Sequence, residues 1–344
     1  MVFDNTFSMN TISKLAYEKR FPHCVTIELL TACNYKCKHC YLPEHNSIGM
    51  KFEVIVDIFQ QLRDMGTISL VLTGGEIFLR ADIIEIIEIA RNMGFRVTLL
   101  SNASLLNEDI INKLSKLYIN LFSTTIFSLN EEINDKITCV KNSLAPILKN
   151  IFLMKEKGIN IEVKTPIMKD NKFAYRELIS FCEKNKFAYT PTTSITSKID
   201  GDDSVTSLRL DYDDLEFVFN EIDYLLERNE NTLSAFDKKS LPCPSIRNAM
   251  YIDSVGNVYP CNSLYYKVGN IYEHKVKDIW ENSEEYKKLN LITNADLPKC
   301  CVCEMKDYCT RCPGHALLED GNLFGCSSLD RCYAKIMMKR KKEK

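Results

Sequence analysis

The stretch Cys33-Asn34-Tyr35-Lys36-Cys37-Lys38-His39-Cys40 decides how this chain is interpreted. Its three cysteines lie in one short loop, with three residues between the first pair and two between the second. Three thiolates that converge on one point suit a [4Fe–4S] cluster, which is usually held by four. The missing fourth ligand leaves one iron open to an outside molecule, as in a catalytic metal site. A zinc loop, or cysteines buried as small hydrophobic residues, is the alternative.

The regions on both sides of this loop alternate between strand and helix. A strand at about 24–30 leads into the loop, and apolar residues then recur at helical spacing over 52–65. We place further strands at 68–72, 95–100, 119–129, 159–165 and 187–195, and further helices at 83–93, 107–117, 145–157 and 175–185. This alternation predicts parallel strands with crossover helices, in an α/β barrel or an open parallel sheet.

Composition narrows the class of protein. The chain has 344 residues, 15 cysteines and a net charge of −2, which argues against a general nucleic-acid surface. There is no apparent signal peptide and no run approaching the roughly 20 apolar residues of a spanning helix. We therefore expect a cytoplasmic enzyme that binds neither nucleic acid nor membrane. In a reducing cytosol, so many cysteines indicate metal binding rather than disulfides.

Polar motifs follow several of the predicted strands. Gly74-Gly75-Glu76 follows the second strand, Ser101-Asn102 follows the third, and Ser128 lies on the fourth. Glycines let the backbone approach a ligand closely, and a carboxylate accepts hydrogen bonds from an ammonium group. The carboxyl ends of parallel strands are where such folds place their sites. Ordinary turns, a loop-starting Asn and a strand hydroxyl are the alternatives.

A second set of cysteines occupies the last third of the chain. Cys243 and Cys261 flank a predicted hairpin that turns near Gly256. The remaining members of the set are Cys300, Cys301, Cys303, Cys309, Cys312, Cys326 and Cys332. Their spacing suits one or two further Fe–S clusters, and a zinc ribbon is the alternative. We interpret three other cysteines as buried thiols: Cys24, Cys139 and Cys182.

Together these motifs resemble the radical SAM superfamily, and the second cysteine set resembles its SPASM subgroup, many of whose members modify ribosomal peptides. The resemblance implies a partial (β/α)6 TIM-like barrel followed by a small cysteine-rich Fe–S domain. It implies that Cys33, Cys37 and Cys40 hold a [4Fe–4S] cluster whose open iron binds S-adenosylmethionine. The residues it assigns to S-adenosylmethionine are His39, Gly74, Gly75, Glu76, Asn102 and Ser128.

The same resemblance implies two auxiliary [4Fe–4S] clusters. Auxiliary cluster I would use Cys243, Cys261 and Cys312, with an open position or with Cys326 or Cys301 as its fourth ligand. Auxiliary cluster II would use Cys300, Cys303, Cys309 and Cys332. The chain departs from the family pattern in three places: Ile77 replaces a proline, two residues rather than three precede Cys312, and Cys139 and Asn142 stand where glycines are frequent.

We divide the chain into five parts on this basis. They are an N-terminal extension at 1–22 that forms a strand or a lid, a core barrel at 23–200, a linker with a bridging helix near 211–228 within 201–240, a SPASM domain at 241–335 and a basic tail at 336–344. The N-terminal extension is too short for a peptide-binding domain, so we expect a separate leader-binding protein.

The predicted function is reductive cleavage of S-adenosylmethionine to a 5′-deoxyadenosyl radical that modifies a peptide or protein side chain. An electron donor such as flavodoxin or ferredoxin is the other expected partner. Alternatives are a sulfatase-maturase-like or haem-pathway enzyme on the same scaffold, and a non-catalytic Fe–S carrier. The sequence assigns no catalytic acid or base, and we expect the loop carboxylates of Asp200, Asp202 and Asp203 to be solvated.

Overall fold

The computed structural model describes residues 5–222, 225 and 236–343. Within these ranges the strands are β1 Cys24–Glu28, β2 Ser69–Thr73, β3 Arg96–Leu100, β4 Leu121–Thr125, β5 Ile161–Pro166, β6 Ala188–Thr192, β7 Ala249–Ile252, β8 Asn257–Tyr259 and β9 Gly269–Asn270. All of them belong to one sheet, in the order β6-β5-β4-β3-β2-β1-β7-β8-β9.

Helices connect and flank these strands. In the same ranges they are α1 Asn5–Lys19, α2 Phe52–Asp64, α3 Ile83–Asn92, α4 Glu108–Lys116, α5 Glu131–Thr138, α6 Leu144–Glu156, α7 Tyr175–Asn185, α8 Tyr212–Glu221, α9 Ser245–Asn248, α10 Val276–Asn282, α11 Glu284–Leu291, α12 Pro298–Cys301, α13 Pro313–Asp320 and α14 Ser328–Glu343. None of these helices is long and apolar enough to cross a membrane.

The strands β1 to β6 are parallel and stand in chain order. Each is joined to the next by at least one helix, which is the βα repeat of a partial barrel. The predicted class of fold is therefore confirmed. Because all six strands run the same way, the loops that follow them lie at one edge of the sheet.

The two faces of the parallel sheet differ in polarity. Side chains that face the helices are apolar and buried, among them Val25, Ile27, Leu70, Leu72, Val97, Leu99, Phe122 and Val163. Alternation puts their neighbours on the opposite face. On that face the Glu162 carboxylate accepts hydrogen bonds from Ser123 Oγ (2.7 Å) and Thr190 Oγ1 (2.6 Å). The interior of the partial barrel is thus lined by hydroxyl and carboxylate groups.

The predicted hairpin is confirmed, and it extends the barrel sheet. β7 and β8 are joined by a turn at Gly256, whose φ of +82° is a value that glycine adopts without strain. β7 pairs in parallel with β1. Met250, Ile252 and Val258 belong to the same hydrophobic core as the barrel strands. The cysteine-rich region is therefore built directly onto the barrel.

Residues 5–19 form a helix instead of the predicted strand or lid. Ala16 is fully buried, and Asn248 Nδ2 donates to Ser13 Oγ (3.2 Å). The Arg247 guanidinium lies 5.2 Å from the centre of the Tyr17 ring. Both partners come from α9, far along the chain. Most helical stability in proteins comes from tertiary packing. Because the packing partners of this helix are distant in sequence, its local sequence pattern did not predict it.

A second difference is α5, a helix within a stretch that had no predicted helix. Asn130 Oδ1 accepts a hydrogen bond from Ile133 N–H (3.2 Å), and Glu131 and Glu132 occupy the first turn. Asn at an N-cap and acidic residues in the first turn are recognised helix starts, and they could have predicted it. The helix placed near 211–228 is observed as α8, and the rest of that prediction falls mostly outside the described residues.

Candidate active site and cysteine clusters

The loops after β1 and β2 are hydrogen-bonded to each other at the carboxyl edge of the sheet. Gly75 N–H donates to Leu30 O (3.0 Å), and Glu76 N–H donates to Ala32 O (2.9 Å). Both acceptors lie just before Cys33. The Gly-Gly-Glu turn is therefore docked on the base of the cysteine loop.

This docking requires glycine at both positions of the turn. A Cβ at Gly74 would lie 2.4 Å from Leu30 O, and a Cβ at Gly75 would lie 2.3 Å from Thr31 O and Ala32 O. We expected from the sequence that these glycines allow the close approach of a ligand. The close approach that the structure shows is to the backbone of the cysteine loop.

Glu76 joins the second loop to the third. Its side chain has no exposed surface. Oε1 accepts hydrogen bonds from Phe78 N–H (3.0 Å) and Ser101 Oγ (2.8 Å), and Oε2 accepts one from Asn102 N–H (2.7 Å). Burial raises the pKa of this carboxyl group, and the hydrogen bonds partly offset that increase. Oε2 keeps capacity for a further donor, as a site for an ammonium group needs.

Asn102 links the third loop to the cysteine loop. Asn102 Nδ2 donates to Asn34 Oδ1 (2.8 Å), and Asn34 Nδ2 donates to Ser104 Oγ (2.9 Å). Ser104 Oγ in turn donates to Asn102 Oδ1 (2.7 Å). This ring of three side chains fixes the residue that follows Cys33. The sequence predicted Asn102 as a site residue but gave no sign of its bond to Asn34.

The three thiols of the cysteine loop are close enough for their charges to act on one another. Burial raises the pKa of Cys33 to about 11, and burial raises the pKa of Cys37 further. Thiols in this setting ionise when a cation compensates them, which is what the irons of a cluster provide. Among the described residues, no three His, Cys, Asp or Glu side chains form a group around a single ion. The donor set, three thiols in one loop, fits a cluster that spreads its ligands over several irons.

His39 packs its ring edge against Phe127, with 5.0 Å between the ring centres. Its Nδ1 is buried and has no hydrogen-bond partner in the described structure. Burial lowers the pKa of this imidazole to about 4, so the ring is neutral near pH 7. A buried polar atom without a partner costs about 1–3 kcal/mol, and a bound ligand can satisfy it. His39 thus retains a free polar group beside the cysteines.

Ser128 has a structural partner. It is buried, and its Oγ accepts a hydrogen bond from Asn130 N–H (3.0 Å) just before α5. The predicted contact of Ser128 with a cofactor therefore stays a prediction.

On the neighbouring strand, Lys164 forms an ion pair with Glu162 (3.5 Å) inside the barrel.

A buried group of one acid and several tyrosines beside the cysteine loop was missed from the sequence. Glu28 ends β1, is 2% exposed and accepts a hydrogen bond from Tyr251 OH (2.7 Å). Tyr41, which follows Cys40, lies 3.5 Å from the same carboxylate oxygen. The Tyr265 ring packs against Tyr251, and its buried hydroxyl has no partner in the described structure. A carboxylate within the predicted strand at 24–30 was the available signal.

Cys243, Cys261 and Cys312 come together from three separate segments. Burial raises the pKa of Cys312 to about 12, and the charges of Cys243 and Cys261 add to that increase. Burial also raises the pKa of Cys261 to about 11, with a further contribution from Cys243. The three thiols predicted for auxiliary cluster I thus lie near one another.

Cys300, Cys303, Cys309 and Cys326 line a cavity of about 730 Å³, and Cys243 of the first group lies at the same cavity. The charge of Cys326 acts on the Cys309 thiol, and the charge of Cys300 acts on the Cys326 thiol. The fourth thiol in this group is therefore Cys326, which the sequence left without a role.

Cys332, which was predicted as the fourth thiol of that group, faces another way. It packs against a separate hydrophobic cluster, whose buried members include Phe219 and Ile336. Asp330, Arg331 and Ala334 lie on the face of α14 that lines the cavity. Cys332 lies on a different face of the same helix. Cys332 as a ligand of auxiliary cluster II stays a prediction, and this geometry favours Cys326 in its place.

The three cysteines predicted as buried thiols differ in exposure. Cys182 is 1% exposed, and Cys24 is half-buried. Cys139 is exposed, so that prediction was wrong. Cys139 and Asn142 have φ values of +58° and +53°, in the left-handed region that glycine tolerates best. Glycine, which the resemblance to the family implies at both positions, would adopt these values without strain.

Comparison with known proteins agrees with this arrangement. The sequence pattern of the radical SAM superfamily matches residues 27–182. The pattern of SPASM, an iron–sulfur cluster-binding domain, matches residues 243–313. The chain belongs to the radical SAM superfamily. It is a member in which a SPASM domain follows the barrel, and its cofactors are S-adenosylmethionine and [4Fe–4S] clusters.

The names of individual similar proteins point to more than one kind of activity. The AdoMet-dependent heme synthase of Methanosarcina barkeri is 24% identical over 336 residues, 88% of this chain and 94% of that protein. The antilisterial bacteriocin subtilosin biosynthesis protein AlbA of Bacillus subtilis is 29% identical over 182 residues, 51% of this chain and 40% of that protein. Streptococcus suis SuiB bound to precursor peptide SuiA superimposes with a TM-score of 0.73 at 19% identity, over 95% of this chain and 80% of that chain.

Proposed function

We propose that this radical SAM enzyme modifies a side chain of a peptide or protein, with one radical-forming and two auxiliary [4Fe–4S] clusters. The observation that carries the proposal is that the loops after β1, β2 and β3 are hydrogen-bonded to one another beside Cys33, Cys37 and Cys40. These bonds support the three cysteines as ligands of the radical-forming cluster. Glu76, with its free acceptor capacity, and His39, with its unpaired Nδ1, then face S-adenosylmethionine.

The cysteine groups support the auxiliary ligands. Auxiliary cluster I is held by Cys243, Cys261 and Cys312, and its fourth position remains unassigned. The proposed ligands of auxiliary cluster II are Cys300, Cys303, Cys309 and Cys326. Cys326 thus replaces Cys332 in the set that the sequence predicted.

The protein's part in the reaction is to bind, orient and exclude water. When bound and reduced, S-adenosylmethionine supplies a 5′-deoxyadenosyl radical that abstracts hydrogen from unactivated C–H bonds. The side-chain ring of Asn34, Asn102 and Ser104 holds the cysteine loop in one geometry. Tyr251 and Glu28 close the side of the barrel nearest the SPASM domain, which limits access of water.

The interior of the barrel favours a peptide as the substrate. Glu28 and Glu162 both lie on the interior face, and the interior Lys164 is already paired with Glu162. Hydroxyl and carboxylate groups accept hydrogen bonds from amide N–H groups and from cationic side chains. Haem precursors carry several carboxylates, and the interior cation of Lys164 is already engaged by Glu162. The names of AlbA and SuiB are in line with a peptide substrate.

A haem-pathway reaction is the second candidate. It is favoured by the similarity to a heme synthase, which extends over 88% of this chain and 94% of that protein. An absorbance titration with Fe-coproporphyrin III separates the two proposals. Saturable binding, with increased release of 5′-deoxyadenosine, would favour the haem route over the peptide route. The electron donor and a leader-binding protein stay predictions.

The radical chemistry is tested by anaerobic reconstitution of the wild type and of the Cys33/Cys37/Cys40→Ala variant. The wild type is expected to hold about twelve irons and to release 5′-deoxyadenosine after reduction with dithionite. The triple variant is expected to hold about eight irons and to release none. Cys139→Ala removes an exposed cysteine near the same loop and serves as the control. A wild type that takes up zinc without iron and releases nothing would overturn the proposal.

A further inference from the structure

Arg311 lies between the two groups of auxiliary cysteines. In sequence it stands between Cys309 and Cys312, which belong to different groups. Arg311 lines the same cavity as Cys243 of the first group and as Cys300 and Cys326 of the second. One cation thus lies beside both groups.

The guanidinium is held in a fixed orientation. Nε donates to Gly325 O (3.2 Å), and Nη2 donates to Gly325 O (3.0 Å) and to Leu323 O. Because the five N–H donors of arginine lie in one planar fork, anchoring two nitrogens also fixes the third. The direction of Arg311 Nη1 is therefore set by the loop between α13 and α14.

Arg311 Nη1 is buried and has no hydrogen-bond partner in the described structure. The described residues also contain no ion pair of Arg311 with a carboxylate. The nearby Asp330 is bonded instead to Cys312 N–H (2.8 Å) and to His315 Nδ1 (2.8 Å). A buried guanidinium N–H without an acceptor is unfavourable, and a cluster with thiolate ligands is an anion rich in sulfur acceptors.

We propose that Arg311 is the counter-cation shared by both auxiliary clusters, and that it raises the reduction potential of each. The inference rests on the proposed function, because it requires the two cysteine groups to hold Fe–S clusters. Net charge and hydrogen bonds to sulfur help to set the potential of such clusters. A fixed cation favours the form that carries one more electron. Arg311 therefore makes both clusters better electron acceptors.

The test is a redox titration monitored by electron paramagnetic resonance in the Cys33/Cys37/Cys40→Ala background, where only the auxiliary clusters remain. Iron content is measured first. If the background protein holds no auxiliary clusters, the proposed function fails whatever Arg311 does. If it holds about eight irons, Arg311→Gln is expected to shift both potentials to more negative values.

Arg331→Gln is the matched control, since Arg331 lines the same cavity but is exposed on α14. It is expected to shift the potential of auxiliary cluster II alone, since its charge acts on the Cys326 thiol. Arg311→Lys keeps the charge and loses the planar fork, so it should shift both potentials by less than Arg311→Gln. Unchanged potentials in a folded Arg311 variant, a shift of one cluster only in Arg311→Gln, or a shift of both clusters in Arg331→Gln would overturn the inference.

Discussion

The two cysteine regions of this protein bring their thiols together by different means. In the first region, Cys33, Cys37 and Cys40 lie in one loop that backbone hydrogen bonds dock onto the Gly-Gly-Glu turn. In the second region, the thiols come from segments spread between Cys243 and Cys326. The first arrangement depends on local spacing and the second on tertiary packing. Spacing alone can therefore identify the first set of ligands but not the second.

The regions also differ in how far they are organised without iron. Glu76 and the ring of Asn34, Asn102 and Ser104 satisfy one another's polar groups around the first loop. One buried polar atom is unpaired in each region of the described structure, His39 Nδ1 in the first and Arg311 Nη1 in the second. The first region is braced by side-chain hydrogen bonds between its loops, whereas the unpaired group of the second carries a positive charge. Four substitutions test this contrast.

The largest effect is expected from Gly75→Ala. The new Cβ would lie 2.3 Å from two backbone oxygens of the cysteine loop, so the turn or the loop must move. Overpacking of this kind costs about 1–3 kcal/mol. We expect loss of about four of about twelve irons, with the auxiliary clusters retained.

Gly158→Ala is the control for Gly75→Ala, because its Cβ meets no atom within 4 Å and only its φ of +77° is strained. Iron analysis and urea unfolding of both variants decide the outcome. Full iron content in Gly75→Ala would show that the docked turn does not brace the cysteine loop.

The next effect is expected from Cys326→Ala, compared with Cys332→Ala. Loss of Cys326 removes a thiol from the cavity group, so the iron content should fall by up to about four. Loss of Cys332 should leave the iron content unchanged and cost about 1 kcal/mol of packing against the hydrophobic cluster that contains Phe219 and Ile336. The reverse pattern of iron loss would restore Cys332 as the ligand.

Glu76→Gln should destabilise the first region by about 1–3 kcal/mol. A glutamine must turn its amide N–H₂ toward a backbone N–H, either of Phe78 or of Asn102, so one buried hydrogen bond is lost. Urea unfolding of the cluster-free protein measures the loss. Glu108→Gln, at an exposed position in α4, is the control. An equal effect in both variants would argue against a bracing role for Glu76.

The smallest effect is expected from Asn102→Ala, which removes partly exposed hydrogen bonds to Asn34 and Ser104, each worth about 0.5–1.5 kcal/mol. The rate at which a chelator removes iron should rise for the first cluster and not for the auxiliary clusters. Asn185→Ala removes a side-chain hydrogen bond to Phe181 O (2.8 Å) at the end of α7, away from the site. Equal rates in the two variants would contradict the proposed bracing.

Much of the barrel could be predicted because its signals are local. Apolar periodicity predicted the order of strands and helices, and Gly256 predicted the turn of the hairpin. The helix α1 could not be predicted, since its partners Arg247 and Asn248 lie far along the chain. The domain boundary placed at 241 stays a prediction, and β7, just beyond it, pairs with β1 in one sheet.

The sequence by itself determined the class of chemistry. The spacing of three cysteines in one loop, followed by a Gly-Gly-Glu turn after the next strand, depends on residues that are close in the chain. Only the tertiary structure decided that Cys326 rather than Cys332 joins the cavity, that Glu28 meets Tyr251, and that Arg311 stands between two cysteine groups. The physical reason is that a helix or strand turns side chains to different faces within one or two residues, and only packing against distant elements selects the face that meets the site.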